Sequence, residues 1–265
     1  MSIAIVGAGI GGLTTALFLE KLGVPVQVFE QATEIKPLGA GIILAHNAMQ
    51  VFDKLGLKES IAKLGNPLTS INISTARLEI INKIEMQYFD NKFAVNSVAI
   101  QRGVLQKFLI DQLKTKCINL NKKVIDVKVG DKAYLLFSDD DEIECDAVIA
   151  ADGINSVVRK KLFQEAKKIK LEIFSSPFDE SAVDFLENLN CPAYKIASAE
   201  INHIPLLEKV AKTKKPIILS TGLSTYKDIK LAIKKIRSFG KNKIIVLKCT
   251  TAYPSELKEQ NLSTI

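Results

Sequence analysis

Apolar residues Ile3, Ala4, Ile5 and Val6 form an unbroken run that ends on a glycine cluster at 7–12. Beyond it Leu13, Ala16, Leu17 and Leu19 recur at helical spacing as far as Gly23. A second short apolar run at 26–29 stops at Glu30, so the pattern predicts strand, glycine turn, helix, strand, acid. Gly39 and Gly41 lead into apolar 42–44, and a helical period over 47–55 ends at Gly56. Segments 70–76 and 78–89 alternate in part and predict antiparallel strands. Over 102–113 the apolar spacing predicts an amphipathic helix with Arg102 at its start; a cation there opposes the helix dipole, so Arg102 is expected to have a local anionic partner. Strands follow at 123–129 and 133–137. The apolar run 145–151 reads as a buried parallel strand that ends at Asp152 and Gly153, with Asn155 and Ser156 able to cap the next helix.

Past residue 162 the pattern becomes a regular alternation. Strands are predicted at 171–174, 193–197, 216–219 and 243–247, and helices at 181–189, 204–211 and 226–237. Repeated units of this kind point to barrel staves or a parallel sheet.

Composition narrows the classes. At 265 residues the chain is one large α/β domain or two small ones. No apolar run reaches the roughly 18 residues that span a bilayer, and the N-terminus lacks a basic leader region, so the expectation is a cytoplasmic protein with no membrane partner. The four cysteines lie far apart, and His46 and His203 are the only histidines, so no metal site is expected. The net charge of +7 comes mainly from lysines on outer helix faces, such as Lys209, Lys212, Lys230 and Lys234, which argues against a nucleic-acid partner. The acidic run 139–142 reads as a solvated hairpin tip.

The opening stretch carries specific chemistry. Gly7 permits a tight turn, Gly9 lets a pyrophosphate approach the backbone, and Gly12 lets the helix pack closely on the first strand. The N–H groups that open the helix face the phosphates. At the end of the second strand, Glu30 can accept from both ribose hydroxyls and repels a 2′-phosphate.

Four motifs in order, GAGIGG with Glu30, then GAGIILAHNAMQVFDKLGL, then Gln101 and Arg102 opening a helix, then DAVIAADGINSVVRKKL, resemble the FAD-dependent aromatic-ring monooxygenases of the para-hydroxybenzoate hydroxylase type. The resemblance covers about 1–163. It implies that Gly7, Gly9, Gly11 and Gly12 contact the pyrophosphate of FAD, that Glu30 holds the adenosine ribose, and that Arg102 reaches the phosphate-ribityl portion. Asp152 and Gly153 would be the family's Asp-Gly motif, linked to FAD and to an NAD(P)H electron donor. The substrate-covering sheet and the later Gly-Asp motif of that family are not found after Leu162, so the module is expected to be catalytically incomplete, and no catalytic residue is assigned.

In the second half the strand ends carry hydroxyls at Ser175, Ser176, Ser198, Ser220 and Thr251, which in a barrel would ring one anion. Lys195 interrupts an otherwise apolar strand, which favours an anionic ligand. The segments FSSPFDESAVDFLENLNCPAYKIASAEI, PIILSTG and IIVLKCTTAYP resemble the sialic acid synthase family, on the pseudaminic acid synthase side. That resemblance implies that Ser176, Lys195, Ser198, Ser220 and Thr251 bind phosphoenolpyruvate. The family's metal-binding histidines are not matched.

The expected fold class is therefore α/β: a Rossmann-like FAD-binding domain over 1–163, then a partial (β/α) TIM-barrel segment over 164–265. The two would be fused within a shared helix near 159–166. Three functions stay open: a flavin-binding remnant of a monooxygenase, a phosphoenolpyruvate-dependent sugar-acid synthase, and a non-catalytic fusion. Small-molecule ligands and self-association through open sheet edges are the expected partners.

Overall fold

The structure is a computed structural model that describes residues 2–36, 39–153, 155–222, 224–250, 259–261 and 263. The chain divides into two compact units, Met1–Val158 and Arg159–Ile265.

In the first unit, β1 (Ile3–Val6), α1 (Ile10–Lys21) and β2 (Val26–Phe29) follow the opening pattern. Next come β3 (Gly41–Leu44), α2 (His46–Leu55), α3 (Lys58–Leu64) and β4 (Asn66–Pro67). The hairpin β5 (Ser70–Ser74) and β6 (Ile80–Glu85) precedes α4 (Gln87–Phe93), β7 (Val98–Gln101) and α5 (Arg102–Gln112). The unit continues with β8 (Ile118–Asn119), β9 (Val124–Val129), β10 (Ala133–Phe137), β11 (Glu142–Cys145) and β12 (Ala147–Ala150).

The central sheet has the order β12-β1-β2-β8, with every pairing parallel. Successive side chains on a strand point to opposite faces, and this sheet uses both. Ile5 and Val28 pack with Leu13, Ala16 and Leu17 of α1 and with Leu105 and Leu109 of α5. Ala4, Val6 and Phe29 pack instead on the antiparallel sheet β11-β10-β9 through Val127, Leu135 and Phe137. The rings of Phe29 and Phe137 lie 5.0 Å apart. A third, antiparallel sheet, β3-β7-β4, delivers the chain from β7 straight into α5 at Arg102.

Several expectations are corrected here. The strand expected over 78–89 stops at Glu85 and gives way to α4. Phe89 and Phe93 are one helical turn apart, and both rings stand 5.7–5.8 Å from His46, whereas a strand would hold them about 13 Å apart along one face. The expected buried strand 145–151 also divides, because Cys145 ends antiparallel β11 and β12 begins at Ala147. As a sheet edge, β12 leaves Ala147 and Ala150 exposed. The helix that follows, α6 (Val157–Lys168), is capped by Asp152, whose Oδ2 accepts from the N–H groups of Val157 at 2.8 Å and Val158 at 3.3 Å. Asn155 and Ser156, expected to be able to cap this helix, immediately precede it.

The second unit continues with α7 (Glu180–Asn188), β13 (Tyr194–Ile196), α8 (Ile204–Lys212), β14 (Ile217–Ser220), α9 (Tyr226–Ser238) and β15 (Ile244–Leu247). The three strands form a parallel sheet in sequence order, with one helix between each pair. Asp179 caps α7 by accepting from Ala182 N–H at 2.7 Å, and Thr225 with Asp228 forms a capping box on α9. One sheet face is sealed by Tyr194, Ile196, Ile217 and Leu219 packing on Leu186, Leu206, Leu207, Val210 and Ile236. Burial and a hydrogen bond to Glu187 push the Tyr194 phenol well above its ordinary range. On the other face Ile245 is 52% exposed.

The expected strand 171–174 does not form. Lys170 turns the chain with φ 57°, Pro177 lacks an N–H, and between them only Ser175 bridges to Tyr194. The sheet thus has three described strands where four were expected.

A Cβ on Gly12 would lie 2.0 Å from the Gly7 carbonyl oxygen, whereas one on Gly9 would meet nothing within 4 Å. Gly12→Ala should therefore cost about 1–3 kcal/mol. Gly9→Ala should stay within about 0.5 kcal/mol of the parent. Thermal melts of the two variants side by side check this.

Candidate functional site

A cleft of about 720 Å³ opens at the carboxyl ends of β1, β2 and β12. Gly7, Gly9, Glu30, Arg102, Asp152 and Gly153 all line it, together with Gln106, Lys36, Lys122 and Lys123. Ligands of open parallel sheets sit at this end of the strands. A second cavity of about 620 Å³ lies at the opposite strand ends, among Ile3, Val26, Thr115 and Cys117, and holds none of the candidate residues.

Each glycine has its own constraint. Gly7 has φ +103°, and a Cβ there would stand 2.4 Å from the Ala151 carbonyl oxygen. The turn therefore excludes a side chain by conformation and by contact. Gly9 caps α1 without any side-chain cap, and the position of its missing Cβ is empty space beside the cleft. Gly11 and Gly12 do not line the cleft; Gly12 serves the packing of α1 on the Gly7 turn.

Glu30 is anchored by the backbone. Its Oε2 accepts from Ala8 N–H at 2.8 Å and its Oε1 from Ala32 N–H at 3.0 Å, which leaves one lone pair on each oxygen directed elsewhere. Across the loop, Gln106 Nε2 donates to the Ala8 carbonyl at 2.7 Å. Gln106 is the residue the sequence reading missed, although its spacing of four from Arg102 on α5 puts the two on one helix face.

Arg102 is exposed and its guanidinium makes no ion pair among the described residues, so the anionic partner expected for it is not a protein side chain there. Gly39, at φ +131°, passes so close that a Cβ would meet the Arg102 side chain at 3.3 Å. Asp152 divides its duty, lining the cleft while capping α6. Lys122 is drawn to the hairpin tip, where it pairs with Asp139 at 2.6 Å and with Asp141 and holds the Asp139 carboxyl below its ordinary range. Among the described residues no three His, Cys, Asp or Glu side chains converge as metal ligands.

A Ser-His-Asp chain lies elsewhere in this unit. Ser97 Oγ is 3.1 Å from His46 Nδ1, and His46 Nε2 is 2.8 Å from Asp90 Oδ1. Ser97 is 3% exposed, so no substrate reaches it, and the chain acts as a clasp between α2, α4 and the start of β7.

In the second unit, Lys195 stands on the sheet face opposite Tyr194 and Ile196, half-buried and without an ionic partner among the described residues. The Ser220 hydroxyl, 1% exposed at the end of β14, has no hydrogen-bond partner among the described residues. Ser198 Oγ accepts from Gly222 N–H at 3.0 Å, which ties the end of β13 to that of β14. Ser176 follows the bridging Ser175 and is half-buried. Thr251 lies outside the described residues.

Comparison with known proteins divides the chain in two. The sequence profile of the pyridine nucleotide-disulphide oxidoreductases matches 1–160, and that of the NeuB family matches 121–265. The shared stretch belongs by geometry with the first unit as far as Val158, since β12 pairs with β1. An FAD-dependent monooxygenase, pytG of Aspergillus terreus, is 33% identical over 167 residues, 61% of this chain and 50% of its own length. The pseudaminic acid synthase of Helicobacter pylori is 50% identical over 102 residues, 38% of this chain and 30% of its own length. Klebsiella pneumoniae HpxO, solved with FAD and uric acid, superposes with a TM-score of 0.55 at 25% identity, covering 60% of this chain and 41% of that one. The chain thus spans half or less of the length of these relatives. By its two profile matches, the chain belongs to the pyridine nucleotide-disulphide oxidoreductase family through residues 1–160 and to the NeuB family through residues 121–265.

Proposed function

We propose that the first unit binds FAD, in the manner of the flavin-dependent monooxygenases it resembles, with NAD(P)H as electron donor. The observation that carries this reading is the empty volume at Gly9 beside the anchored Glu30, a cradle that any side chain at position 9 would fill. Bound FAD would supply the redox centre, taking hydride from a nicotinamide and passing electrons to dioxygen. The chain's own part is to hold it. Glu30 presents its free lone pairs to the adenosine ribose, Arg102 answers phosphate charge, and the first N–H groups of α1 face the diphosphate. Disulphide reduction, the chemistry for which the matched family is named, is not proposed, since the four cysteines include no closely spaced pair in the sequence.

Ring hydroxylation needs a pocket closed to water, whereas this cleft opens at the strand ends. With NAD(P)H, the proposed product of oxygen reduction is therefore hydrogen peroxide. The whole-length activities of the relatives, hydroxylation and sugar-acid synthesis, are not carried over to this chain.

A second reading applies to the NeuB part, where the Ser220 hydroxyl and Lys195, neither with a partner among the described residues, favour an anionic ligand of the phosphoenolpyruvate type on a partial barrel face.

Three outcomes are expected. Calorimetry should show FAD binding in preference to NAD, and Gly9→Val should abolish it with little change in melting temperature; equal or tighter NAD binding would sink the reading. Oxidation of NADPH by the FAD-loaded protein should release peroxide in a one-to-one ratio, and stoichiometric hydroxylated product from an aromatic acid would refute it. Phosphoenolpyruvate should bind at millimolar or tighter concentration and lose about tenfold or more in Lys195→Ala, the scale of one charge-assisted contact. Absence of binding heat in the parent protein removes the second reading.

A further inference from the structure

The two peptides that flank Ala8 are held separately. Glu30 Oε2 takes the N–H of the Gly7–Ala8 peptide at 2.8 Å, and Gln106 Nε2 donates to the carbonyl of the Ala8–Gly9 peptide at 2.7 Å. The Ala8 side chain is fully buried, so the residue between the two grips cannot swing. In a trans peptide the carbonyl and the N–H point in opposite directions. By fixing the Ala8 carbonyl toward α5, Gln106 therefore fixes the direction of the Gly9 N–H, which makes no hydrogen bond with the described residues. Glycine permits either orientation of the peptide before it at little cost, so the residue type that admits a diphosphate also leaves that peptide free to flip. A flipped peptide would aim a carbonyl oxygen where the N–H now points.

We propose that Gln106 is a positioning residue that locks the Ala8–Gly9 peptide against flipping, keeping the Gly9 N–H as a donor for a diphosphate. The ligand rests on the FAD reading above; the lock is a property of the protein alone. Gln106 is suited to the role because its amide donates at every pH and adds no charge beside the phosphates.

The test uses two variants of the full chain and a readout that needs no ligand. In the free protein, Gln106→Leu should shift or split the Gly9 amide resonance while the melting temperature holds. Gln106→Glu should behave likewise when its carboxylate is ionised, since it then repels the Ala8 carbonyl, and should recover the parent signal on acidification, when the acid O–H donates to that carbonyl. Glu30, Asp152 and Arg102 line the same cleft in every protein, so the parent's own titration is the control. With ligand, FAD and ADP should weaken by the same factor in Gln106→Leu, about tenfold, while adenosine is unaffected. A Gly9 amide that stays unchanged in both variants, or an adenosine loss equal to that of ADP, overturns the lock. Should the parent bind neither FAD nor ADP, the functional reading falls and the amide resonance still decides the proposal.

Discussion

The approach of α1 to the turn after β1 governs the first unit. With no side chain at position 12 the helix comes so close to the Gly7 carbonyl that a Cβ there would stand 2.0 Å from its oxygen, and that closeness seats Leu13, Ala16 and Leu17 on Ile5 and Val28. The same approach leaves Gly9, the N-cap of α1, at the cleft. Packing and binding thus draw on one backbone contact, and loosening it would disturb the core and the cradle together.

Much of this was legible in the sequence because the glycine positions are constrained by conformation and volume, and such constraints act on local text. Gly7, with φ +103° against the Ala151 carbonyl, accepts no other residue without strain, and the run 3–6 has the length of one strand. The three elements from β1 to Glu30 follow from positions close in sequence. Gln106 was not legible in the same way, since its partner Ala8 lies 98 residues away and a glutamine on a helix face has no spacing signature. Tertiary contact also decided α4, where the rings of Phe89 and Phe93 gather on His46 and override a partly alternating pattern.

The second unit shows the limit of periodicity. Short apolar runs announced β13, β14 and β15 with little error, yet the run at 171–174 remained outside the sheet. A run of four apolar or mixed residues has the composition of a strand but needs a full row of partners, and the turn at Lys170 and the proline at 177 leave room for one bridge at Ser175. The Ser220 hydroxyl, orphaned in a nearly sealed position, likewise has no mark in the sequence beyond its place at a strand end.

The carboxylate of Asp152 has one more consequence. It nucleates α6 through the N–H groups of Val157 and Val158, and every atom of that cap lies at or before residue 158. The start signal of the helix is complete before the text shared by the two families gives way from one to the other. Whatever helix-forming sequence follows inherits a ready first turn, so the helix start is set upstream while its later residues, such as Phe163 and the buried Ala166, answer to packing.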